Sequence, residues 1–98
     1  MVEVRWTVLA ADDLEAIVEF ISNDSEHYAR LLAANIVQAV ERLELFPDSG
    51  RRVPEINTPD IREIPCGNYR IIYRVKSDTV EILTVYHGAR MMDLNRLK

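Results

Sequence analysis

Apolar and polar residues alternate at the start of the chain, where Val2, Val4 and Trp6 are separated by charged side chains. A period of two is typical of a half-buried β-strand. The pattern therefore predicts a short first strand. Thr7 follows this strand and is a favourable N-cap for a helix.

The period then changes to that of amphipathic helices. The first helix is predicted to end near Ser22, and Asp24 or Ser25 can cap the second, which Pro47 and Gly50 close. The short link between them indicates an antiparallel helical hairpin with one apolar stripe per helix. The stripes consist of Leu14, Ile17, Val18 and Ile21, and of Ala29, Leu32, Ala33, Ile36, Val40 and Leu43.

The second half of the chain is typical of β-structure. Residues 50–60 are predicted to form an ordered loop, and residues 61–64 a short strand that Pro65 keeps at the sheet edge. Residues 69–75 and 79–86 are rich in Ile, Val, Tyr and Thr, and the polar residues between them suit a tight hairpin turn. The expected fold class is α+β: an antiparallel helical hairpin packed on one face of a small, mainly antiparallel β-sheet.

Length and composition favour one globular domain over residues 1–98. The 98 residues are 48% hydrophobic, which is enough for a single core. The single cysteine, Cys66, cannot form an internal disulfide, and no apolar run approaches the roughly 18 residues needed to cross a bilayer. We expect a cytoplasmic protein without membrane association, and the absence of a ligand cluster predicts no metal or cofactor.

The net charge of −4 conceals an uneven distribution. Up to Ser49 there are three basic and ten acidic residues, whereas from Gly50 onward nine basic residues accompany six acidic ones. Any polyanion is therefore expected at the second half, where Arg51, Arg52 and Arg62 form a candidate target-binding surface. The alternative is ordinary solvated charge.

The register of the predicted hairpin places its side chains. If Ser77 and Asp78 form the turn, Arg74 lies opposite Glu81 and Arg70 opposite Val85. The side assigned to the helices then carries Tyr69, Ile71, Tyr73, Val75, Val80, Ile82, Thr84 and Tyr86. The other side, expected to be at least partly open, carries Arg70, Arg74, Glu81 and His87.

Arg74 and Glu81 are most simply a structural ion pair across the strands. Arg70 has no such expected partner, and His87 is its diagonal neighbour in this register. Histidine exchanges protons near neutral pH and arginine stabilises phosphate charge, so the pair suits phosphodiester chemistry, with Arg90 as a second phosphate contact. The alternative is that His87 is a turn or surface residue beside Gly88.

Four segments, in order, resemble the RelE/ParE toxins of type II toxin-antitoxin systems, a group that includes plasmid stabilisation proteins. They are WTVLAADDLEAIVEFI, LFPDSGRRVPE, IREIPCGNYRIIYRV and VEILTVYHGAR, and they cover nearly the whole chain. The most specific parts are the stretch from Gly67 to Ile71 and the ending formed by His87, Gly88 and Arg90. The resemblance implies a helical hairpin on an antiparallel sheet and an antitoxin that wraps the toxin in a hetero-oligomer.

The resemblance implies one of two targets. RelE-like members cut mRNA in the ribosomal A site, and in that case Arg70 stabilises the transition state while His87 and Arg90 supply the general acid and a phosphate contact. Glu63 is a weaker candidate for the base. ParE-like members instead inhibit DNA gyrase.

The charge of the chain bears on this choice. Proteins that enter the phosphate-rich ribosome are usually strongly basic, whereas this chain is acidic and contains only Lys76 and Lys98 as lysines. This argument slightly favours a ParE-like gyrase inhibitor over a RelE-like endoribonuclease. A third hypothesis is a noncatalytic relic that only binds its antitoxin, through strand addition at an exposed edge.

Overall fold

The computed structural model describes residues 1–88, in which two helices and five strands form an α+β fold. The elements are β1 (Glu3–Trp6), α1 (Val8–Ser22), α2 (Glu26–Glu41), a 3-10 turn (Arg42–Glu44), β2 (Arg51–Arg52), β3 (Ile61–Cys66), β4 (Tyr69–Val75) and β5 (Thr79–His87). The predicted helices and hairpin are confirmed, and the strand predicted at residues 61–64 extends to Cys66. The two-residue strand β2 was not predicted.

Short polar side chains cap both helices, as the sequence indicates. Thr7 Oγ1 accepts a hydrogen bond from the backbone N–H of Ala10 at 3.1 Å, and Ser25 Oγ accepts one from Tyr28 at 3.1 Å. Thr7 Oγ1 also donates to the carbonyl of Ile82 at 2.7 Å. The residue that starts α1 therefore also ties that helix to β5.

The sheet is mixed, with strand order β1-β5-β4-β3-β2. β1 runs parallel to β5 and every other pair is antiparallel. Pro65 predicted β3 as an edge strand, but the short strand β2 lies beside the first half of β3. β2 pairs only with Arg62 and Glu63, and the part of β3 that contains Pro65 remains at the edge, where a proline is tolerated.

The main core lies between the two helices and one face of the sheet, here called the helix face. Its buried members are Ala10, Leu32, Ile36, Ala39, Val40, Leu43, Ile71, Tyr73, Val80, Ile82 and Val85. The stripes predicted for both helices supply this layer, with Leu14, Ile17 and Ile21 of α1 partly buried against it. No helix among residues 1–88 is both long and apolar enough to cross a membrane.

The opposite, outer face of the sheet is not open as expected. A second apolar cluster lies there, formed by Val53, Ile61, Ile72, Leu83 and Tyr86 with Ile56 packed against it. Val53 and Ile56 belong to residues 53–60, here called the strap, which has no helix or strand. The strap therefore covers part of the face that the helices leave free.

The predicted register is correct only near the hairpin turn. Arg74 lies opposite Glu81 as expected, but the ladder shifts by one position between Ile72 and Tyr73. Beyond this bulge Arg70 faces Tyr86 instead of Val85. Because side chains alternate along a strand, this shift places Tyr86 and His87 of β5 on the faces opposite to those predicted, whereas Arg70 of β4 keeps its predicted face.

The bulge coincides with a contact between β5 and α1. The side chain of Asp13 accepts hydrogen bonds from the hydroxyl of Thr84 and, at 3.3 Å, from the backbone N–H of Val85. This carboxylate belongs to a helix more than seventy residues earlier in the chain. The turn sequence alone could not reveal such a contact.

Candidate functional site

Arg70 lies at the centre of an ion-pair cluster on the outer face. Its Nη1 and Nη2 atoms each donate to one carboxylate oxygen of Glu55 at 2.8 Å. Its Nε donates to Glu63 Oε1 at 2.9 Å, and Nη2 donates to the same oxygen. The prediction that Arg70 lacks a partner is wrong, and its side chain is only 13% exposed.

Glu63 is the buried member of the same cluster, with a side chain only 3% exposed. Its second oxygen, Oε2, accepts a hydrogen bond from Arg51 Nε at 2.8 Å and lies 2.7 Å from Arg51 Nη2 in an ion pair. The Arg70 cluster therefore consists of Arg51, Glu55, Glu63 and Arg70. It joins β2, the strap, β3 and β4, and its formal charge is zero.

Within the cluster, the contacts between Glu55 and Arg70 favour the charged form of both residues. Hydrogen bonds from Arg70 lower the pKa of Glu55 below its usual value. The hydrogen bonds to Glu55, followed by those to Glu63, raise the pKa of Arg70 further above its already high value, against the opposing effect of burial. The Arg70–Glu55 contact is a bidentate arginine–carboxylate pair, the stronger and more directional form of an ion pair.

His87 faces the helix side of the sheet. It lies opposite Tyr69 in the ladder, and the two rings meet edge to face with centroids 5.3 Å apart. His87 also lines a groove of about 270 Å³ together with Asp13 and Phe20 of α1. The prediction that Arg70 and His87 emerge on one face is therefore wrong, and Tyr86, assigned to the helix face, packs in the outer cluster.

Arg70 and His87 nevertheless border one concavity at the open end of the β4–β5 hairpin, opposite its turn. This end concavity has a volume of about 340 Å³, and its lining includes Arg51, Arg70, His87 and Gly88. The β3–β4 turn also lines this concavity, and Gly67 in that turn adopts a positive φ of 58°, which suits glycine. Residues on opposite faces of the sheet thus meet at the strand ends.

The three arginines predicted to form a target-binding surface do not lie together. Arg51 is on the outer face and pairs with Glu63. Arg52 lies opposite Arg62 in the ladder, and Arg62 Nη1 donates to the carbonyl of Gly50 at 2.9 Å. Because neighbouring strand residues point to opposite faces, Arg51 and Arg52 lie on different faces of the sheet.

The ion pair expected between Arg74 and Glu81 is replaced by two others. Arg74 Nε lies 3.6 Å from a carboxylate oxygen of Asp60, and Lys76 Nζ lies 3.2 Å from Glu81. Asp60, like Glu55, belongs to the strap. Two arginines of β4 therefore hold the strap at both of its acidic residues.

The remaining candidates need only brief mention. Arg90 lies outside the described residues. Among residues 1–88 no group of histidine, cysteine and carboxylate side chains is arranged to hold a metal ion. Burial raises the pKa of the half-buried Cys66 thiol, which disfavours its reactive thiolate form.

Sequence reasoning missed Glu55 as a member of the site. It lies in a proline-flanked loop with no periodic pattern, and its partner Arg70 is fifteen residues away. The only signal was its charge. The pairing depends on how the strap crosses the sheet, which no local pattern encodes.

Solved structures from toxin-antitoxin systems superpose on this fold, which is therefore that of a small toxin. One is from the chromosomal ParDE toxin-antitoxin system of P. aeruginosa, with a TM-score of 0.74 and 26% identity over 89% of this chain and 96% of that one. Another is the RelBE2 toxin-antitoxin complex of Mycobacterium tuberculosis, with a TM-score of 0.64 and 26% identity over 88% and 96%.

Sequence relatives give the same result. A putative toxin, Y4kP, of Sinorhizobium fredii is 38% identical over 87% of this chain and 86% of its own length. Toxin RelE2 of Caulobacter vibrioides is 33% identical over 93% of this chain and 100% of its own. Residues 4–92 match the ParE toxins of type II toxin-antitoxin systems, and the chain belongs to this family. The predicted membership of the RelE/ParE superfamily is confirmed.

Proposed function

We propose that this toxin inhibits DNA gyrase and does not cut RNA. The observation that carries the proposal is that all three nitrogens of the Arg70 guanidinium donate to Glu55 or Glu63. A ribonuclease of this superfamily would need that group to stabilise phosphate charge. In this chain a phosphodiester would first have to displace a bidentate carboxylate.

The positions of Glu63 and His87, the other groups expected in a ribonuclease, also argue against RNA cleavage. Both oxygens of Glu63 accept hydrogen bonds from arginines and its side chain is only 3% exposed, so the carboxylate is not accessible to a substrate as a general base. His87 is oriented toward Tyr69 and the helix side, away from the Arg70 side chain. The acidic balance of the whole chain adds to this, because a ribosomal surface favours cationic proteins.

An antitoxin is the proposed regulatory partner, in a hetero-oligomer within the cytoplasm. Two similar solved structures are of a toxin-antitoxin system and of a toxin-antitoxin complex. The helical hairpin exposes large apolar side chains at Phe20, Tyr28 and Leu31, which are 73%, 53% and 50% exposed. Apolar exposure of this kind is typical of protein-binding surfaces.

The first experiment expresses the chain alone and together with the product of the adjacent reading frame. We expect growth arrest without that product and normal growth with it. The purified toxin is then added to gyrase in a DNA supercoiling assay. Loss of supercoiling, with intact mRNA in the arrested cells, is the expected result, whereas arrested cells with unaffected gyrase would contradict the proposal.

A RelE-like endoribonuclease is the second candidate, and one observation favours it. Arg70 and His87 border the same end concavity, so one bound phosphate could reach both. This function predicts cuts in mRNA on translating ribosomes that disappear in His87→Ala. Cuts of this kind, mapped by primer extension, would replace the gyrase proposal, and harmless expression would support the antitoxin-binding relic.

A further inference from the structure

We propose that Glu55 is an internal occupant of an oxyanion site formed by Arg51 and Arg70, and that it excludes phosphate-type anions from that site. The site is distinct from the antitoxin surface on the helices because it lies on the outer face of the sheet. The proposal concerns what the Arg70 cluster binds, and it holds whichever cellular target the toxin has.

The geometry of the Arg70 contacts carries the proposal. Glu55 accepts from Nη1 and Nη2, the two terminal nitrogens of the guanidinium, at 2.8 Å each. Two oxygens of a phosphate group fit the same pair of nitrogens, since arginine binds carboxylate and phosphate in one bidentate mode. Glu55 therefore occupies the part of Arg70 that recognises an oxyanion.

Glu63 has a different position and holds the site together. It accepts from Arg70 Nε on one oxygen and from Arg51 on the other, and its side chain is 3% exposed. Both arginines are thus oriented by a buried carboxylate that does not depend on Glu55. Removal of Glu55 leaves Arg70 held by Glu63 through Nε and one N–H of Nη2, while Nη1 and the second N–H of Nη2 become available to an anion.

Charge favours an anion once Glu55 is gone. Arg51, Arg70, Glu55 and Glu63 sum to zero, and without Glu55 the remaining three carry +1. The end concavity of about 340 Å³ borders both arginines, so space for a small anion exists beside them. The Arg70 side chain is mostly buried, which strengthens its interaction with an anion relative to bulk water.

Glu55 is the member of the cluster that can leave. It is carried by the strap, which has no helix or strand, and its side chain is 37% exposed. Glu63, by contrast, lies in the centre of a strand ladder between β2 and β4. A rotation of the Glu55 side chain toward solvent would open the site without disturbing the strands that hold the arginines, while the buried Val53 keeps the strap in place.

The test measures binding of inorganic phosphate by NMR at neutral pH, following the backbone amide signals of Gly67 and Asn68, which line the end concavity. We expect Glu55→Ala to bind phosphate at least about tenfold more tightly than the wild type, because a competing charged hydrogen-bond acceptor is removed. Glu55→Gln keeps the shape of the side chain without its charge and is expected to lie between the two. Addition of Arg70→Lys to Glu55→Ala should abolish the gain.

Asp60→Ala is the matched control. Asp60 is the other acidic residue of the strap and also pairs with an arginine of β4, but 3.6 Å from Arg74 and away from the end concavity. It removes the same charge and is expected to bind phosphate like the wild type. An equal gain in Asp60→Ala would show a general charge effect and overturn the proposal.

One further outcome would also overturn it. Equal phosphate binding by the wild type and by a Glu55→Ala variant whose amide spectrum is native would show that Glu55 does not compete. This result does not depend on gyrase, so failure of this inference and failure of the proposed target are distinguishable.

Discussion

Replacement of Glu63 by alanine tests whether the Arg70 cluster is a structural centre of the outer face. The carboxylate makes contacts of 2.7–2.9 Å with Arg51 and Arg70 and is 3% exposed. Removing one partner of a buried ion pair typically costs about 3–5 kcal/mol, since the other charge remains buried without compensation.

Two features reduce that cost in this protein. Arg51 is 69% exposed, so water can replace its lost partner. Arg70 keeps its bidentate contact with Glu55. We therefore expect Glu63→Ala to lower the free energy of unfolding by about 2–4 kcal/mol. Glu55→Ala should cost only about 1 kcal/mol or less, because Glu55 is 37% exposed and Arg70 keeps Glu63.

The assay is urea unfolding of the purified variants, followed by circular dichroism. A double-mutant cycle between Glu63→Ala and Arg70→Ala should give a coupling free energy above about 1 kcal/mol. The reasoning is refuted if Glu63→Ala and Glu55→Ala cost the same, or if the cycle shows no coupling. Either result would mean that burial does not distinguish the two carboxylates.

Three further predictions use the same unfolding assay. Gly50→Ala should cost about 1–3 kcal/mol, because its Cβ would lie 2.5 Å from the hydroxyl of Tyr73 and 2.6 Å from the backbone carbonyl of Glu63; a variant as stable as the wild type would contradict this close approach. Thr7→Ala should cost about 1 kcal/mol or more through loss of the N-cap of α1, and Thr7→Ser should recover most of it. The pKa of Glu55 is lowered in the folded state, so its contribution to the free energy of unfolding is present above its unfolded pKa and is lost as pH falls through the folded pKa. The acid-induced drop in the urea midpoint should therefore be smaller in Glu55→Gln than in the wild type. An equal drop in both proteins would exclude this contribution.

The local elements of this protein follow from patterns that span only a few residues. Helical spacing of apolar residues, with Thr7 and Ser25 as caps, predicts where both helices begin and where α1 ends, whereas α2 ends at Glu41, before the Pro47 and Gly50 that were predicted to close it. The tight turn between β4 and β5 is equally local, and the strand register that places Arg74 opposite Glu81 follows directly from it. In each case the interactions that decide the structure lie between near neighbours in the chain.

The candidate site could be predicted only in part. Residue type marked Arg70, Glu63 and His87 as candidates, and all three lie at or beside the end concavity or the Arg70 cluster. The outward facing of Arg70 was predicted correctly, but the predictions that it lacks a partner and that His87 shares its face were wrong, and the facing of Glu63 had been left open. The error began at the bulge between Ile72 and Tyr73, beyond which a hairpin register extended from the turn no longer holds.

The sequence by itself determined the fold class, the two capped helices and the family of this toxin. Only the tertiary structure decided which face each β5 side chain occupies and which carboxylates meet Arg70. The physical reason is distance along the chain. Asp13 meets the bulge from a helix far upstream, and the strap brings Glu55 to Arg70 across the sheet. Contacts between such distant segments depend on the packing of the whole molecule and leave no periodic pattern in the residues that make them.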